Sequence, residues 1–454
     1  MKRPGSRRRL RVWHVSNSFH YAGTERAMAL WARSLDRSIF DVRAYSRDQD
    51  GPRRLELQKA GIMAKVLGPD LEAWKAAFKA GVPDLLHVHR HGEEDAGWTA
   101  LCALARSMGV RVIAETNVFG ERRRSEGPAS PDVMGYMSTF CLWRYARWPA
   151  ALPPDHWGPH AVFYNPLVLE DFPAKGFAPA ERRKARRDLG IPEDAIVAGR
   201  LGRPDPNKWS TWLLPALAEA VRRDGRLYLA FMEAPPGVAE EARRLGIDGR
   251  CCFLDASAKE ADVRRFYSAI DILAHSSRVG ESFGYTLAEA MAWGIPVVVD
   301  STPWADNAQI ELVGHEEQGL VAGRPAAYTA ALLRLAADPV LRARLSQGSR
   351  AAADRFEVGA LTRSLEGVYA RALLAQGVEH PALQRLAHRN TSPVEDWVQG
   401  FGALYQSRLG RYENASPALD GAWALYSALR LYGRGWASKT LKRPFVKLRA
   451  ALRG

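Results

Sequence analysis

The sequence predicts an α/β protein of two domains, each built on a parallel sheet, and three observations lead there. Its 454 residues exceed one ordinary domain and, at roughly 150 residues per domain, suggest two or three. Of these residues 47% are hydrophobic, enough for more than one core. Apolar runs at 85–88, 110–114 and 270–274 have the length of buried strands and alternate with helical patterns, which predicts parallel sheets covered by helices. No repeat of fixed period and no low-complexity tract breaks that alternation.

Residues 10–15 read as the first strand, after which Ala22-Gly23-Thr24-Glu25-Arg26 opens a helix running to Leu35. Gly23 has the backbone freedom that a close approach to a ligand would need. The next strand, Pro83-Asp84-Leu85-Leu86-His87-Val88-His89, places His87, His89 and His91 two residues apart and hence on one face. Such a face either holds a metal or simply lines a site. After the strand at 110–114 come Glu115 and Asn117, then three arginines in Glu121-Arg122-Arg123-Arg124-Ser125-Glu126. That loop either binds an anionic acceptor or is a solvated run offset by its glutamates. The basic helix over 182–187 reads as structural.

A second apolar strand begins at Ile196 and runs into a Pro-rich turn carrying Arg203 and Lys208. Two cations there offset charge building on a phosphate leaving group, or else are merely solvated. The stretch from Gly280 to Val299 is the most informative of all. Gly284 frees the chain, good helix formers follow from Leu287 to Met291, and Gly294 with Pro296 ends the helix before a buried strand at 297–299. A helix starting there aims free amides and its positive end at an anion such as a diphosphate. Glu281 lies in the loop and Glu289 roughly two turns into the helix, so both carboxylates can face one ligand.

This pair of glutamates, with Ser-Phe-Gly between them and Glu-Ala-Met-Ala-x-Gly-x-Pro-Val-Val after, resembles the signature of retaining glycosyltransferases of the large family 4 class. The loop at Gly23 resembles that family's Gly-Gly-x-Glu loop, with Ala22 in place of its first glycine. The strand at 83–89 resembles its Pro-Asp-x-x-His-x-His strand, and 163–172 resembles its entry to the interdomain linker. Together the resemblances cover residues 10 to about 375. They imply a GT-B fold, two Rossmann-like domains with parallel sheets facing across a cleft and a C-terminal helical extension. The implied division is an acceptor-side domain over 1–165, a linker over 166–180, a nucleotide-sugar domain over 181–375 and a returning helical segment over 376–454.

The resemblance further implies that Arg203 and Lys208 clamp the donor diphosphate, that Glu281 orients the sugar and Glu289 the ribose. Gly23, Ser282, Phe283, Gly284, Tyr285 and Thr286 then belong to the donor site, and base recognition uses backbone near 231–233 and 253–255. On the acceptor side the candidates are His89, His91, Glu115 and Asn117. The family places a histidine where Asn117 stands, and asparagine takes no proton at neutral pH. Front-face retaining transfer, in which the departing phosphate receives the acceptor's proton, needs no protein base. No metal and no cofactor are expected, only a UDP- or GDP-linked sugar as substrate and a glycan or lipid-linked acceptor. The expected activity is therefore retaining transfer in glycan biosynthesis. The alternatives are a nucleotide-sugar epimerase and a catalytically silent, membrane-associated scaffold of the same fold.

Charge sits at the ends. Net +14 is matched by six cations over residues 1–11 and eight over 421–454, two stretches without an acid. The body is formally neutral, so no nucleic-acid groove is expected in it. The C-terminal tail interleaves Trp423, Tyr426, Tyr432, Trp436, Phe445 and Leu448 with its cations, as either an anchor on an anionic membrane surface or a helix packed on the protein. Four cysteines without metal-ligand spacing point to a reducing compartment. With no apolar core after the basic start and no spanning run, the expected location is cytoplasmic, peripheral on the membrane if the tails bind it.

Overall fold

The computed structural model describes residues 8–121, 127–147, 159–173, 176–255, 260–302, 305–389 and 394–411. The arginines 122–124 and the basic tail 421–454 lie outside them. The described chain divides into two compact units, one running to Pro166 and resuming over Val358–Gly400, the other spanning Leu167–Glu357.

The first unit holds seven strands, β1 (Leu10–Ser18), β2 (Phe40–Gln49), β3 (Met63–Val66), β4 (Leu85–Arg90), β5 (Val112–Asn117), β6 (Val133–Tyr136) and β7 (His160–Val162). All pairings are parallel, in the order β3-β2-β1-β4-β5-β6-β7. Alternation along each strand feeds two cores. From β1, Leu10 and Val12 join one core with the helix Gly23–Ser34, while Trp13 and Val15 join the other with helices Leu71–Ala80 and Ala96–Ser107. Trp13 stacks on Phe78 at 5.2 Å, a contact that adds aromatic geometry to area burial.

The helix Val358–Ala375 belongs to this unit, although sequence assigns it to the nucleotide-sugar domain. Leu365, Tyr369 and Leu373 are buried in the core that Val12, Leu85 and Val112 supply, and the Glu366 carboxylate accepts from the Asp36 amide at 2.8 Å. The return to the first unit therefore begins at Val358, eighteen residues before the expected boundary.

The second unit contributes β8 (Ile196–Leu201), β9 (Leu227–Met232), β10 (Cys251–Leu254), β11 (Ile272–His275), β12 (Val297–Asp300) and β13 (Gly319–Ala322). These are also parallel, ordered β10-β9-β8-β11-β12-β13. The helices Leu213–Arg223, Pro325–Ala337 and Pro339–Ala353 cover one face. The basic helix Pro179–Asp188 is structural as read from sequence. Arg186 is buried, bonds the carbonyls of Glu193, Ala195 and Ala269, and pairs with Asp271 at 2.7 Å.

Strand order reverses once in each sheet, between β1 and β4 and between β8 and β11. In doubly wound sheets the loops leaving such a point diverge to opposite faces and open a crevice at the carboxyl ends of the strands. The residues expected to bind the donor's sugar, ribose and diphosphate follow β1, β8 or β11, and the backbone expected to meet its base lies at the ends of β9 and β10.

Candidate active site

At the β8/β11 reversal the loop after β8 carries Lys208 and the loop after β11 carries Glu281, and the structure joins them. Lys208 Nζ donates to Glu281 Oε2 at 2.9 Å and to the Gly280 carbonyl at 3.3 Å. Buried His275, the last residue of β11, places Nε2 3.3 Å from the other carboxylate oxygen, Oε1. Burial works against the Glu281 charge, but the Lys208 ammonium and the His275 contact outweigh it and hold the acid well below its usual range. His275 itself is pushed down to about 4 by burial, reinforced by the nearby Arg200 guanidinium. The imidazole is thus neutral at pH 7, and only one of its nitrogens carries a proton.

The loop holding Glu281 is fixed from the side. Its amide donates to Gln309 Oε1 at 3.1 Å, and its carbonyl accepts from the Ala308 amide at 2.8 Å. Gln309 is fully buried and also donates to Thr302 Oγ1 at 2.7 Å and to the Asp300 carbonyl at 3.2 Å. Gly280 has φ +68°, and a Cβ there would sit 1.6 Å from the Asp306 carbonyl oxygen. Only glycine fits that approach.

Beyond Glu281 the chain enters the helix Tyr285–Trp293 through Gly284 at φ +96°. Its first intrahelical bonds run from the amides of Leu287 and Ala288 to the Gly284 carbonyl, so the Tyr285 and Thr286 amides lie in the turn where a helix binds anions. Phe283 is buried edge-on against Phe356 at 5.2 Å, which makes it a packing anchor for the loop; Ser282 lies beside it, partly exposed. Glu289 is buried on the helix face toward Tyr267, whose hydroxyl donates to its Oε2 at 2.8 Å.

Arg203 is exposed and forms no ion pair among the described residues. The arginine brought to Lys208 is Arg200, inside β8. It is 1% exposed, donates to the Lys208 carbonyl at 2.7 Å and the Ser276 carbonyl at 3.1 Å, and lies 4.9 Å from the Trp209 ring centre. Arg200 therefore ties the two site loops together. Sequence reading missed it because it lies within an otherwise apolar strand. Asp300 was also missed; burial pushes its carboxyl up to about 7, and the Ser210 and Ser276 hydroxyls approach its Oδ2 at 3.5 and 3.4 Å.

At the β1/β4 reversal Gly23 is the first residue of its helix, and buried Glu25 accepts from Ser18 Oγ at 3.0 Å. One face of this sheet turns polar toward its carboxyl end, from Val12 to His14 and Ser16 on β1, and from Leu85 to His87 and His89 on β4. His14 Nδ1 meets His89 Nε2 at 3.0 Å, and His87 spends its two nitrogens on Tyr369 Oη at 2.5 Å and Thr116 Oγ1 at 2.8 Å. Burial pushes His14 down to about 3 and holds the other two well below the imidazole range. The ligand nitrogens of these three lie within 4.8 Å of one another, and their contacts describe a hydrogen-bonded network of neutral imidazoles. His91 departs from the expected shared face, because β4 ends at Arg90 and His91 is exposed beside Phe119.

The other acceptor-side candidates are engaged elsewhere. Glu115 pairs with Arg90 at 3.8 Å, both 1% exposed. Asn117 is buried, its Nδ2 donating to the Glu121 carbonyl at 2.7 Å and its Oδ1 accepting from the Glu121 amide at 3.1 Å. Asn117 is thus a clasp on the loop after β5. Of the four candidates only His91 presents an exposed side chain.

Comparison with known proteins places this geometry. Residues 192–338, the heart of the second unit, match the family described as glycosyl transferases group 1. A D-inositol 3-phosphate glycosyltransferase of Saccharomonospora viridis is 35% identical over 217 residues, 44% of this chain and 48% of that protein. The match thus spans about half the relative's length. One from Gordonia bronchialis is 25% identical over 425 residues, 81% of this chain and 86% of that protein. Among solved structures, Anabaena Alr3699/HepE in complex with UDP and glucose is similar at 19% identity and a TM-score of 0.65, covering 80% of this chain and all of that one. The fold is GT-B, and its second unit is where the match to glycosyl transferases group 1 falls. No described helix is long and apolar enough to cross a membrane.

Proposed function

We propose that the protein transfers a sugar, with retention of anomeric configuration, from a UDP- or GDP-linked donor to a glycan or lipid-linked acceptor. The observation that carries this reading is the Lys208–Glu281 pair at the β8/β11 reversal, in the loop that leads into the helix Tyr285–Trp293. The relatives named as glycosyltransferases and the UDP complex of a protein of similar fold support it.

In this reading the donor diphosphate lies over the Tyr285 and Thr286 amides with Lys208 beside it, so that charge developing on the leaving group meets preorganised dipoles and a cation. Glu281 accepts hydrogen bonds from the sugar and Glu289 from the ribose. With Glu115 and Asn117 engaged in pairing and loop closure, the departing phosphate takes the acceptor's proton. Chain residues alone neutralise the phosphates, so the proposed reaction uses no cofactor.

The test is the product. Incubation with α-linked UDP- and GDP-sugars and a panel of sugar and lipid-linked acceptors is expected to release nucleoside diphosphate with an α-linked conjugate, read by the anomeric proton coupling. A β-linked product would contradict retention, and an altered sugar nucleotide without conjugate would favour the epimerase.

A further inference from the structure

We propose that His275 is a positioning residue that keeps the Glu281 carboxylate in place when a donor diphosphate draws Lys208 away from it. The inference deepens the reading above and rests on it. Glu281 has two oxygens and two polar side chains beside them, Lys208 Nζ at Oε2 and His275 Nε2 at Oε1. A diphosphate offers Lys208 a greater negative charge than one carboxylate does, and an ammonium on a flexible stem follows it. Glu281 would then lose its closest cation while remaining only 13% exposed, where an unsupported carboxylate is costly.

His275 is suited to remain. It ends a central strand, is 2% exposed, and its backbone carbonyl accepts from the Tyr328 hydroxyl at 3.0 Å. Neither of its ring nitrogens has a hydrogen-bond partner aligned on it among the described residues, so the tautomer protonated at Nε2 has a donor to spare, 3.3 Å from Oε1. A small rotation of the Glu281 carboxylate brings that oxygen into line. Burial and Arg200 on β8 favour the neutral ring, so the bond made after that rotation comes from a neutral donor and persists when the site's charge changes. Substitution at this position should therefore act on turnover, where Glu281 must be held against the reacting sugar, more than on donor affinity.

The experiment compares wild type, His275→Leu and His275→Gln, the last able to place an amide N–H near the Nε2 position. Loss of one hydrogen bond to a charged group predicts a kcat for His275→Leu lower by about 10- to 100-fold, with donor KM within about threefold and much of the loss restored in His275→Gln. A Leu variant with wild-type kcat, or one changed in KM alone, overturns the proposal. A second readout does not depend on turnover. The ring nitrogen resonances of His275, observed in selectively labelled protein, should move in Glu281→Gln, and unmoved resonances overturn the contact. Failure of the transferase reading would instead appear as an absence of turnover by wild type with every donor, which leaves the resonance test standing.

Discussion

Lys208→Ala is expected to lower turnover by about 100- to 1,000-fold, the scale seen when one preorganised group facing developing charge is removed, with a smaller change in donor affinity. The structure gives two reasons. In the proposed reaction the ammonium faces the charge that gathers on a leaving diphosphate, and in the structure it bonds Glu281, in the loop that leads into the helix Tyr285–Trp293. Its loss leaves a largely buried carboxylate with His275 beside it and the Arg200 charge further off, and the acid shifts back toward protonation as the Lys208 support disappears. Lys208→Arg should recover little, because the site presents one carboxylate oxygen and one carbonyl to a point charge rather than a bidentate face to a fork. Steady-state kinetics with the donor identified by product analysis checks this, and wild-type turnover in the alanine variant would remove Lys208 from the mechanism.

Gly280→Ala should have the largest effect among single methyl additions. At φ +68°, with the Asp306 carbonyl oxygen 1.6 Å from the added carbon and Thr302 Oγ1 at 2.6 Å, the loop has to move. Left-handed backbone and forced overpacking together cost about 2–5 kcal/mol. Movement also breaks the bonds from the Asp306 amide to Val279 and from the Ala308 amide to Glu281, so activity should fall with stability. Urea unfolding with a parallel activity assay tests both. Gly225→Ala serves as the control, since a Cβ there meets nothing within 4 Å. A Gly280→Ala midpoint matching that control would show that the loop yields more easily than its packing implies.

Sequence reading reached the parts of the site that follow from local pattern. The helix cap at Gly284, its termination at Gly294 and the two glutamates could be read because capping, periodicity and a motif lie within twenty residues. Lys208 was found for the same reason. Arg200, His275 and Asp300 were not, because a polar residue at the carboxyl end of a buried strand interrupts an apolar run without saying what it faces; strand pairing decides that. Arg203 and Lys208 are paired by spacing along a turn, which does not say how either side chain lies; Arg203 is exposed, while the unforeseen Arg200 bonds the Lys208 carbonyl. Asn117 is an acceptor-side candidate by its place after the strand, and sequence does not show that its amide closes on the Glu121 backbone four residues later. The helix at 358–375 was placed with its sequence neighbours because an amphipathic pattern names an apolar face but not the core that receives it.

The central claim is that the second unit binds a nucleoside diphosphate through Lys208 and the helix that follows Glu281. Calorimetric titration of the full-length protein with UDP, GDP and ADP, wild type beside Lys208→Ala, tests it most directly. The account predicts selective binding of one of the uridine or guanosine nucleotides that weakens in the variant. Equal affinity in both proteins, or no binding of any of the three, would contradict it.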